Sequence, residues 1–398
     1  MKILVLGSRI PWPLRDGGAI ATYEMLLELA AQGTEITYFT YNTKKHYADP
    51  EIIEDKFNFC RIIPFYLDAG TKIPEAIYYW ITGRNYNIVR FENEVANAEL
   101  EKLLKAEKFD LVHIEGLYAM PFLHTVKSCY SGPVAYRAHN VEYKIWQTLA
   151  SKSSGIKKWY LNSLAKGLFE YEKEMCPKVD AILPITQTDE FLIKQLAGDV
   201  KYHYYPAGLH VQNELQNDHA GIQTLGHIGS MEWMPNIAAM EWFFKNVWPM
   251  VLIKYPEAQF YLGGKSLSVK DPRFQFPGVI NCGEVVNIAE FHSKYRIAIV
   301  PVFSGSGLRM KTVEAMGMGK PVISSAIGAE GIPYTAGVDI EIANATEEWL
   351  KAISDLFENQ EKCRDIGNNG RKLVLEKFSI EKNTDALLQF YRSEFHLK

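Results

Sequence analysis

Residues 304–323 read SGSGLRMKTVEAMGMGKPVI, and they follow an apolar run at 297–302, IAIVPV. The apolar run predicts a buried β-strand, and the small, glycine-rich segment after it predicts a loop that opens into a helix. Glycines in such a loop let the backbone approach a ligand closely. A strand, a glycine-rich loop and a helix in this order indicate an α/β fold built on a parallel sheet.

The charges at the start of this helix indicate an anion site. Arg309 and Lys311 lie where free backbone N–H groups and the helix dipole already favour negative charge. Glu314 lies one turn deeper on the same face, where a carboxylate would accept hydrogen bonds from the vicinal hydroxyls of a ribose. We therefore predict a diphosphate site that needs no metal ion. An ordinary solvated helix would explain the charges but not Gly305 and Gly307.

The same alternation of strand and helix patterns runs along the whole chain. Apolar runs that predict strands lie at 3–7, 35–41, 60–65, 109–114, 133–138 and 179–185, and again at 222–229, 258–263, 279–282, 297–302, 321–325 and 338–342. We expect two domains with parallel sheets, 1–205 and 206–379, joined through a polar linker at 212–221. Two such sheets meeting at a hinge would leave a cleft. A final helix, 380–398, either packs on its own domain or crosses back to the first.

Composition narrows the class of protein. The net charge of -4 over 398 residues gives no general attraction to nucleic acid, so no nucleic-acid partner is expected. The five cysteines are too far apart in sequence to suggest a metal site or a disulfide framework. The apolar segment at the start of the chain is too short for a signal peptide, and a cytoplasmic location is expected. Lysines interleaved with aromatic residues at 144–178 predict either a solvated helix pair or peripheral contact with the inner membrane face.

The 304–323 stretch resembles the donor-binding signature of the retaining GT-B glycosyltransferases of family 4, also called glycosyl transferases group 1. That signature contains two glutamates, followed by Ala-Met, two small residues, Gly, any residue and Pro-Val. Glu314 and residues 315–322 match it closely, whereas Ser306 stands at the position of the first glutamate. The Gly-Leu-Arg-Met-Lys run at 307–311 resembles a variant in which these cations bind the phosphates.

The resemblance implies a GT-B fold, in which two Rossmann-like parallel-sheet domains face a central cleft. It implies a retaining, metal-independent transfer of a sugar from a nucleoside-diphosphate sugar to an acceptor hydroxyl, with no cofactor besides that substrate. Glycan or polysaccharide biosynthesis is the expected setting. The acceptor could be a sugar, a lipid-linked glycan or a small molecule. The expected catalytic residues are His139, Arg309 and Lys311; the donor-binding residues are Gly17, Gly18, Gly229, Ser230, Glu284, Val285, Ser306, Gly307, Leu308 and Glu314; the acceptor-side residues are Arg15, Asp16, Glu115 and Glu142.

Several of these residues also have simpler interpretations. His139 follows a predicted strand and could be a structural, hydrogen-bonded histidine, and Glu142 could be a first-turn charge of the next helix. Glu115 could belong to a turn that opens a helix. Two other functions stay open at this point: a nucleotide-sugar epimerase of similar fold, which would need a pair of acid and base carboxylates, and a non-enzymatic sugar-binding protein.

Overall fold

The computed structural model describes residues 1–14, 17–210, 223–305 and 307–397. The chain divides into two compact units: Met1–Gly208 together with Ile380–Lys398, and Leu209–Ser379. The predicted linker at 212–221 lies outside the described residues, as do the candidates Arg15, Asp16 and Ser306.

The first unit is built on a seven-stranded parallel sheet with the strand order β3-β2-β1-β4-β5-β6-β7. The apolar runs predicted for this half all correspond to strands, because strands covered on both faces read as continuous apolar segments. The strands are β1 (Lys2–Gly7), β2 (Glu35–Thr43), β3 (Arg61–Leu67), β4 (Leu111–Glu115), β5 (Val134–Ala138), β6 (Ala181–Pro184) and β7 (Lys201–Tyr202).

Helices cover this sheet and bury two apolar clusters against it. They are α1 (Gly17–Ala31), α2 (Pro50–Lys56), α3 (Ile73–Ile81), α4 (Tyr86–Val89), α5 (Glu94–Ala106), α6 (Leu123–Cys129), α7 (Glu142–Ser151), α8 (Gly155–Met175) and α9 (Gln187–Ala197). The last helix of the chain, which we call α16 (Ile380–Phe395), packs on this unit rather than on the second one. Its buried Leu387, Leu388 and Tyr391 join the cluster beneath α1, so the apolar face of this helix is covered by the first unit.

The second unit holds a six-stranded parallel sheet with the order β10-β9-β8-β11-β12-β13. Its strands are β8 (Thr224–Ile228), β9 (Gln259–Gly263), β10 (Val279–Gly283), β11 (Ile297–Val300), β12 (Val322–Ser324) and β13 (Glu341–Ile342). Its helices are α10 (Met234–Asn246), α11 (Trp248–Lys254), α12 (Ile288–Ser293), α13 (Met310–Gly317), α14 (Thr346–Glu358) and α15 (Gln360–Lys377).

Strand order decides where ligands can bind. In each sheet the order along the chain reverses beside a central strand, β1 next to β4 and β8 next to β11. Loops at the carboxyl ends of such strands diverge and leave a crevice. The loops after β1, β4 and β5 in the first unit, and after β8 and β11 in the second, are therefore the places to look for a site.

Candidate active site

The loop between β11 and α13 turns sharply at two glycines. Gly305 and Gly307 have φ values of 105° and 88°, a region that disfavours residues with a Cβ. Helix α13 begins at Met310, so Arg309 occupies the position just before the helix and Lys311 lies in its first turn. Both cations had been predicted in the first turn, and the difference of one residue is within the usual uncertainty of helix ends.

The ammonium of Lys311 is partly buried, and its hydrogen-bond acceptor is a neutral amide. Its Nζ donates a short hydrogen bond to Oδ1 of Asn236, a neutral acceptor, and lies 5.8 Å from the ring centroid of Trp233. Burial, reinforced by the nearby charge of Arg309, lowers the pKa of Lys311 to about 7, although Glu314 acts in the opposite direction. The protein thus keeps a lysine whose charged form it compensates poorly.

Arg309 belongs to the same group of side chains. Only 6% of it is exposed. Its Nη1 donates to the carbonyl of Gly307 at 3.0 Å, and its guanidinium lies 5.1 Å from the ring centroid of Trp233. Burial also lowers the pKa of Arg309, opposed by the charge of Glu330. One indole therefore contacts both cations, and cation–π contacts of this kind are attractive.

Backbone groups approach these cations closely after β8. A Cβ added to Gly229 would lie 2.9 Å from Lys311 Nζ and 2.8 Å from Asn236 Nδ2, so a larger residue here would force the ends of these side chains to shift. The carbonyl of Ser230 accepts a hydrogen bond of 2.9 Å from Asn236 Nδ2. Gly229, Ser230, Arg309 and Lys311 were predicted as site residues, and the structure brings them together through Asn236.

The remaining candidates of this unit lie around that centre or farther along the sheet. Burial raises the pKa of Glu314, and the charge of Lys311 opposes this shift. Leu308 is partly buried against the apolar cluster between β11 and α13. Glu284 is exposed on the loop after β10, and its neighbour Val285 packs toward Gly263.

Sequence reasoning missed three residues of this centre: Trp233, Asn236 and His227. His227 is buried on β8, and its Nδ1 is 2.7 Å from the carbonyl of Ile299. Its burial, together with the charge of Lys311, lowers its pKa to about 3, so it adds no charge. Asn236 could have been suspected, because a polar residue one turn into the helix after Gly-Ser faces the same crevice.

In the first unit, Glu115 at the end of β4 is the centre of a buried network. Its two oxygens accept hydrogen bonds from Thr22 Oγ1 (2.9 Å), His113 Nε2 (2.9 Å), Arg137 Nη1 (3.1 Å) and His139 Nε2 (2.6 Å). Burial by itself would raise the pKa of this carboxyl. The charges of Arg137 and His139 and the hydrogen bonds from both histidines prevail, and the pKa lies well below its usual range.

The network extends from the sheet to the C-terminal helix. The ring nitrogen Nδ1 of His113 is 2.9 Å from the hydroxyl of Tyr391 on α16. The guanidinium of Arg137 lies 4.6 Å from the ring centroid of Tyr205, whose hydroxyl is 2.9 Å from Thr384 Oγ1, also on α16. The last helix therefore fixes residues that in turn fix His139.

His139 itself is only partly buried, with 22% of its side chain exposed. Because ionised Glu115 can only accept, Nε2 of His139 must carry the shared proton, which leaves Nδ1 as the other polar atom of the ring. Glu142, the first residue of α7, accepts a hydrogen bond of 2.9 Å from the hydroxyl of Tyr118, and burial raises its pKa.

These residues border one large cavity of the first unit. The cavity has a volume of about 790 Å³ and is lined by Gly18 at the start of α1 together with Glu115, His139 and Glu142. Gly17, the first residue of α1, is exposed. The predicted residues of this unit that the structure describes therefore lie close to one another, although Glu115 is an internal anchor rather than an exposed group.

Two units, each a doubly wound parallel sheet covered by helices with a candidate site beyond its strand ends, have the architecture of the GT-B fold. A family model described as "Glycosyl transferases group 1" matches residues 222–359, and one described as "Glycosyltransferase Family 4" matches residues 15–209. The two matches together span most of the chain, which belongs to this glycosyltransferase family.

Solved structures show the same fold at low sequence identity. Sucrose-phosphate synthase from Thermosynechococcus elongatus is similar over 100% of both chains, with 18% identity and a TM-score of 0.69. HepE of Anabaena, solved in complex with UDP, covers 99% of this chain and 100% of its own, with 13% identity and a TM-score of 0.65. TarM matches over 98% of both chains, with 13% identity and a TM-score of 0.67.

A curated relative also matches nearly the full chain. It is an uncharacterized 44.6 kDa protein in the cps region of Klebsiella pneumoniae, 21% identical over an alignment of 397 positions that covers 96% of this chain and 97% of the relative. Among the described residues, every helix is too short or too polar to cross a membrane.

Proposed function

We propose that this protein transfers a sugar from a nucleoside-diphosphate sugar to an acceptor hydroxyl, with retention of the anomeric configuration and without a metal ion. One observation carries the proposal: Arg309 and Lys311 are brought together at a glycine-lined loop, over one indole, with a lysine pKa of about 7. Because burial disfavours the charged form of Lys311, a bound polyanion that favours this form would offset part of that cost.

The second unit would bind the donor. Arg309 offers a planar fork and Lys311 a point charge to the diphosphate, and Glu314 accepts hydrogen bonds from the ribose. The backbone of Gly229, Ser230, Gly307 and Leu308 lets phosphate oxygens come close. Because negative charge grows on the diphosphate as the glycosidic bond breaks, the two cations stabilise the transition state more than the ground state.

The proposed transfer accounts for every bond, electron pair and proton without an added base or metal ion. The acceptor oxygen forms a bond to the anomeric carbon, and the bond from that carbon to the diphosphate breaks with its electron pair on the leaving oxygen. The departing phosphate takes the acceptor proton, on the face from which it leaves, so configuration is retained. His139, held by Glu115, would orient the donor sugar through Nδ1.

Two findings on other proteins support a narrower proposal about the nucleotide and the biological role. HepE of Anabaena has been solved with UDP and with UDP-glucose, which favours a uridine nucleotide here. The Klebsiella relative lies in a cps region, which favours a role in polysaccharide biosynthesis.

Calorimetry with UDP, GDP and ADP in the presence of EDTA tests the donor site. We expect micromolar to millimolar binding of one nucleotide with EDTA present, strongly weakened in Arg309→Ala and unchanged in Lys351→Ala, which removes an exposed lysine on α14. Binding that requires Mg²⁺, or that survives Arg309→Ala, contradicts the assignment. Once a turnover assay exists, the NMR coupling constant of the product's anomeric proton reports retention.

We also propose that the first unit docks on an anionic bilayer. Helices α3 and α8 expose an aromatic face, which we define as Ile73, Ile77, Tyr78, Trp80, Ile81, Ile156 and Trp159. The rings of Trp80 and Trp159 meet at a centroid distance of 5.0 Å, so the two helices form one surface. The exposed Lys157 and Lys158 beside Trp159 complement anionic headgroups.

Vesicle flotation tests this surface. We expect binding to vesicles of phosphatidylglycerol and phosphatidylcholine that weakens at high salt and is lost in Ile81→Ser combined with Ile156→Ser. The matched control is Ile253→Ser, which removes an equally exposed isoleucine of the second unit, 81% exposed. Equal binding of the double variant and the control rules out the aromatic face as the contact.

A further inference from the structure

A small cavity of the second unit adjoins Lys311. Its volume is about 10 Å³, the size at which a cavity holds a single water molecule. It lies among residues of β8, β11, α12, α13 and the turn after α12, and its polar side chains among the described residues are His227, His292, Tyr295 and Lys311. His227 is 1% exposed, and His292 and Tyr295 are fully buried. The cavity therefore brings two buried histidines beside a lysine of the candidate donor site.

His227 has an unused hydrogen-bond acceptor. Its Nδ1 is 2.7 Å from the carbonyl oxygen of Ile299, and a carbonyl only accepts, so Nδ1 carries the proton. Burial and the charge of Lys311 lower the pKa of His227 to about 3, so the ring is neutral near pH 7. Its Nε2 is therefore a lone-pair acceptor, and within the described part of the chain this atom has no hydrogen-bond partner.

His292 has an unused hydrogen-bond donor. Its Nδ1 is 2.6 Å from the hydroxyl of Tyr295. Burial, aided by the charge of Lys320, lowers the pKa of His292 to about 3, so this ring is also neutral. Donation from the tyrosine to Nδ1 satisfies both groups, whereas the opposite direction would leave the hydroxyl hydrogen unused, because the hydroxyl forms no other hydrogen bond with the described residues. Nε2 of His292 therefore carries the proton, and it also lacks a partner among those residues.

The two unpaired nitrogens are complementary. Buried polar atoms are normally paired, and a water molecule between these two would accept a hydrogen bond from His292 and donate one to His227. The ammonium of Lys311 can supply a third hydrogen bond, and buried waters typically make about three. A Cβ added to Gly229 would lie 3.0 Å from Nε2 of His227 and 2.9 Å from Nζ of Lys311, so both atoms flank the same backbone position.

We propose that one buried water molecule bridges His292 and His227 and accepts a hydrogen bond from Lys311, so that the two histidines are positioning residues for this lysine. The inference rests on the proposed function, because it takes the ligand of Lys311 to be the donor's diphosphate. Of the three N–H bonds of the ammonium, one is directed to Asn236 Oδ1 and one to the water. The third is left for a phosphate oxygen, so the rotation of the ammonium is fixed before the ligand arrives.

The first test needs no ligand. Nitrogen chemical shifts of the imidazole rings, measured by NMR on the full chain labelled with ¹⁵N-histidine, report which ring nitrogen carries the proton. We expect the proton on Nδ1 of His227 and on Nε2 of His292. A crystal structure of the full chain that resolves ordered solvent should show one water within about 3.2 Å of both Nε2 atoms. The opposite tautomer in either ring, or an empty cavity, overturns the inference.

The second test uses pH to separate positioning from a structural role. The water favours the charged lysine, so its loss should lower the pKa of Lys311 further, while Arg309 and Glu314, the other charges that act on the lysine, stay in place. His292→Phe keeps a ring but removes the donor. By calorimetry, its affinity for UDP should differ little from that of the wild type at pH 6 and fall about tenfold below it at pH 8, the scale of one hydrogen bond to a charged group. A loss of the same size at both pH values would mean that His292 is only structural, and would overturn the inference.

A milder variant and a control accompany this measurement. Tyr295→Phe removes the hydroxyl that fixes the tautomer of His292 and keeps the ring, so it serves if His292→Phe does not fold. It should show the same loss at pH 8 at smaller size, and wild-type affinity at both pH values would contradict the inference. His124→Phe replaces an exposed histidine of α6 in the first unit and should bind UDP as the wild type does.

Failure of the proposed function is recognised separately. A wild-type chain that binds no nucleotide refutes the donor site, and NMR and crystallography then still decide between the predicted tautomers with their water and the alternatives. A chain that binds UDP but shows the opposite tautomers refutes only the bridging water.

Discussion

Glu115 in the first unit and Lys311 in the second are both ionisable groups beside a sheet's carboxyl edge, yet their surroundings differ. Glu115 is almost fully buried and accepts four hydrogen bonds, from Thr22, His113, Arg137 and His139. Its pKa lies well below the usual range. Lys311 donates to a neutral amide and faces a second cation, and its pKa falls to about 7.

Under the proposed function, the difference separates a positioning group, Glu115, from a ligand-binding group, Lys311. Where the fold provides its own counter-charge, as at Glu115, the charge serves the protein's interior and holds other side chains in place. Where the fold compensates a charge poorly, as at Lys311, part of the cost of burial is returned only when a ligand of opposite sign arrives. The comparison therefore predicts opposite consequences for stability and activity when each group is neutralised.

The largest effect is expected at the compensated site. Glu115→Gln leaves Arg137 buried without its carboxylate, and breaking a buried pair in this way costs about 3–5 kcal/mol of unfolding free energy. Urea denaturation of the variant and of Glu170→Gln, which changes an exposed glutamate of α8, measures this loss. A Glu115→Gln protein as stable as the Glu170 variant would show that the network is not a compensated ion pair.

Neutralising Lys311 should instead spare the fold and remove activity. Lys311→Met keeps most of the side-chain volume and deletes a charge that burial disfavours, so the thermal midpoint should stay constant or rise. The ratio kcat/KM should fall about 100-fold, the scale of losing one group that stabilises transition-state charge. Lys351→Met serves as the control. Near-normal turnover in Lys311→Met would refute the role of the cation pair.

Much of the fold could be predicted from the sequence, because buried parallel strands read as continuous apolar runs. The strand β7 escaped prediction, since Lys201–Tyr202 is too short to show a pattern. The sequence also predicted the final helix but left open which domain it packs on. That contact joins Tyr391 to His113, 278 residues apart, and depends on the packed fold.

Some residues of the candidate site could also be predicted from the sequence, and others could not. Arg309 and Lys311 could be predicted because the glycines and cations lie within one short segment. Asn236 and Trp233 come from the loop and helix after β8, which meet α13 only because β8 and β11 are neighbours in the sheet. The anchor role of Glu115 could not be predicted either, because three of its four partners lie on other elements. They are Thr22 on α1, Arg137 on β5 and His139 in the loop after β5. Side-chain contacts between distant elements follow from topology, which local patterns do not contain.

The pH dependence of nucleotide binding tests whether the pKa of Lys311 is lowered in the free protein, in contrast to the compensated charge of Glu115. Because its pKa in the free protein is about 7, lower than the ordinary value of 10.5, the lysine is charged below pH 7 and increasingly neutral above it. A bound diphosphate favours the charged form, so affinity should fall as pH rises from 7 to 9, by at most tenfold per unit. Calorimetry in buffers of different ionisation enthalpy should also detect proton uptake on binding near pH 8. Lys311→Met should show neither effect, whereas a wild-type affinity that is constant over this range would mean that the lysine stays charged.

The smallest effect is expected where the last helix supports the Glu115 network. Tyr391→Phe removes one hydroxyl and leaves Nδ1 of buried His113 without that hydrogen bond, at a cost of about 1 kcal/mol. Because Glu115 keeps its own four donors, the variant should retain a folded network, and kcat/KM should change less than in Lys311→Met. Tyr255→Phe, which removes a hydroxyl that contacts Glu358 at the surface of the second unit, is a matched control for the loss of one hydrogen bond. Tyr391→Phe is expected to cost as much as Glu115→Gln only if the hydrogen bonds to Glu115 require the contact with α16. That result would contradict the view that the first unit compensates Glu115 through its four direct donors alone.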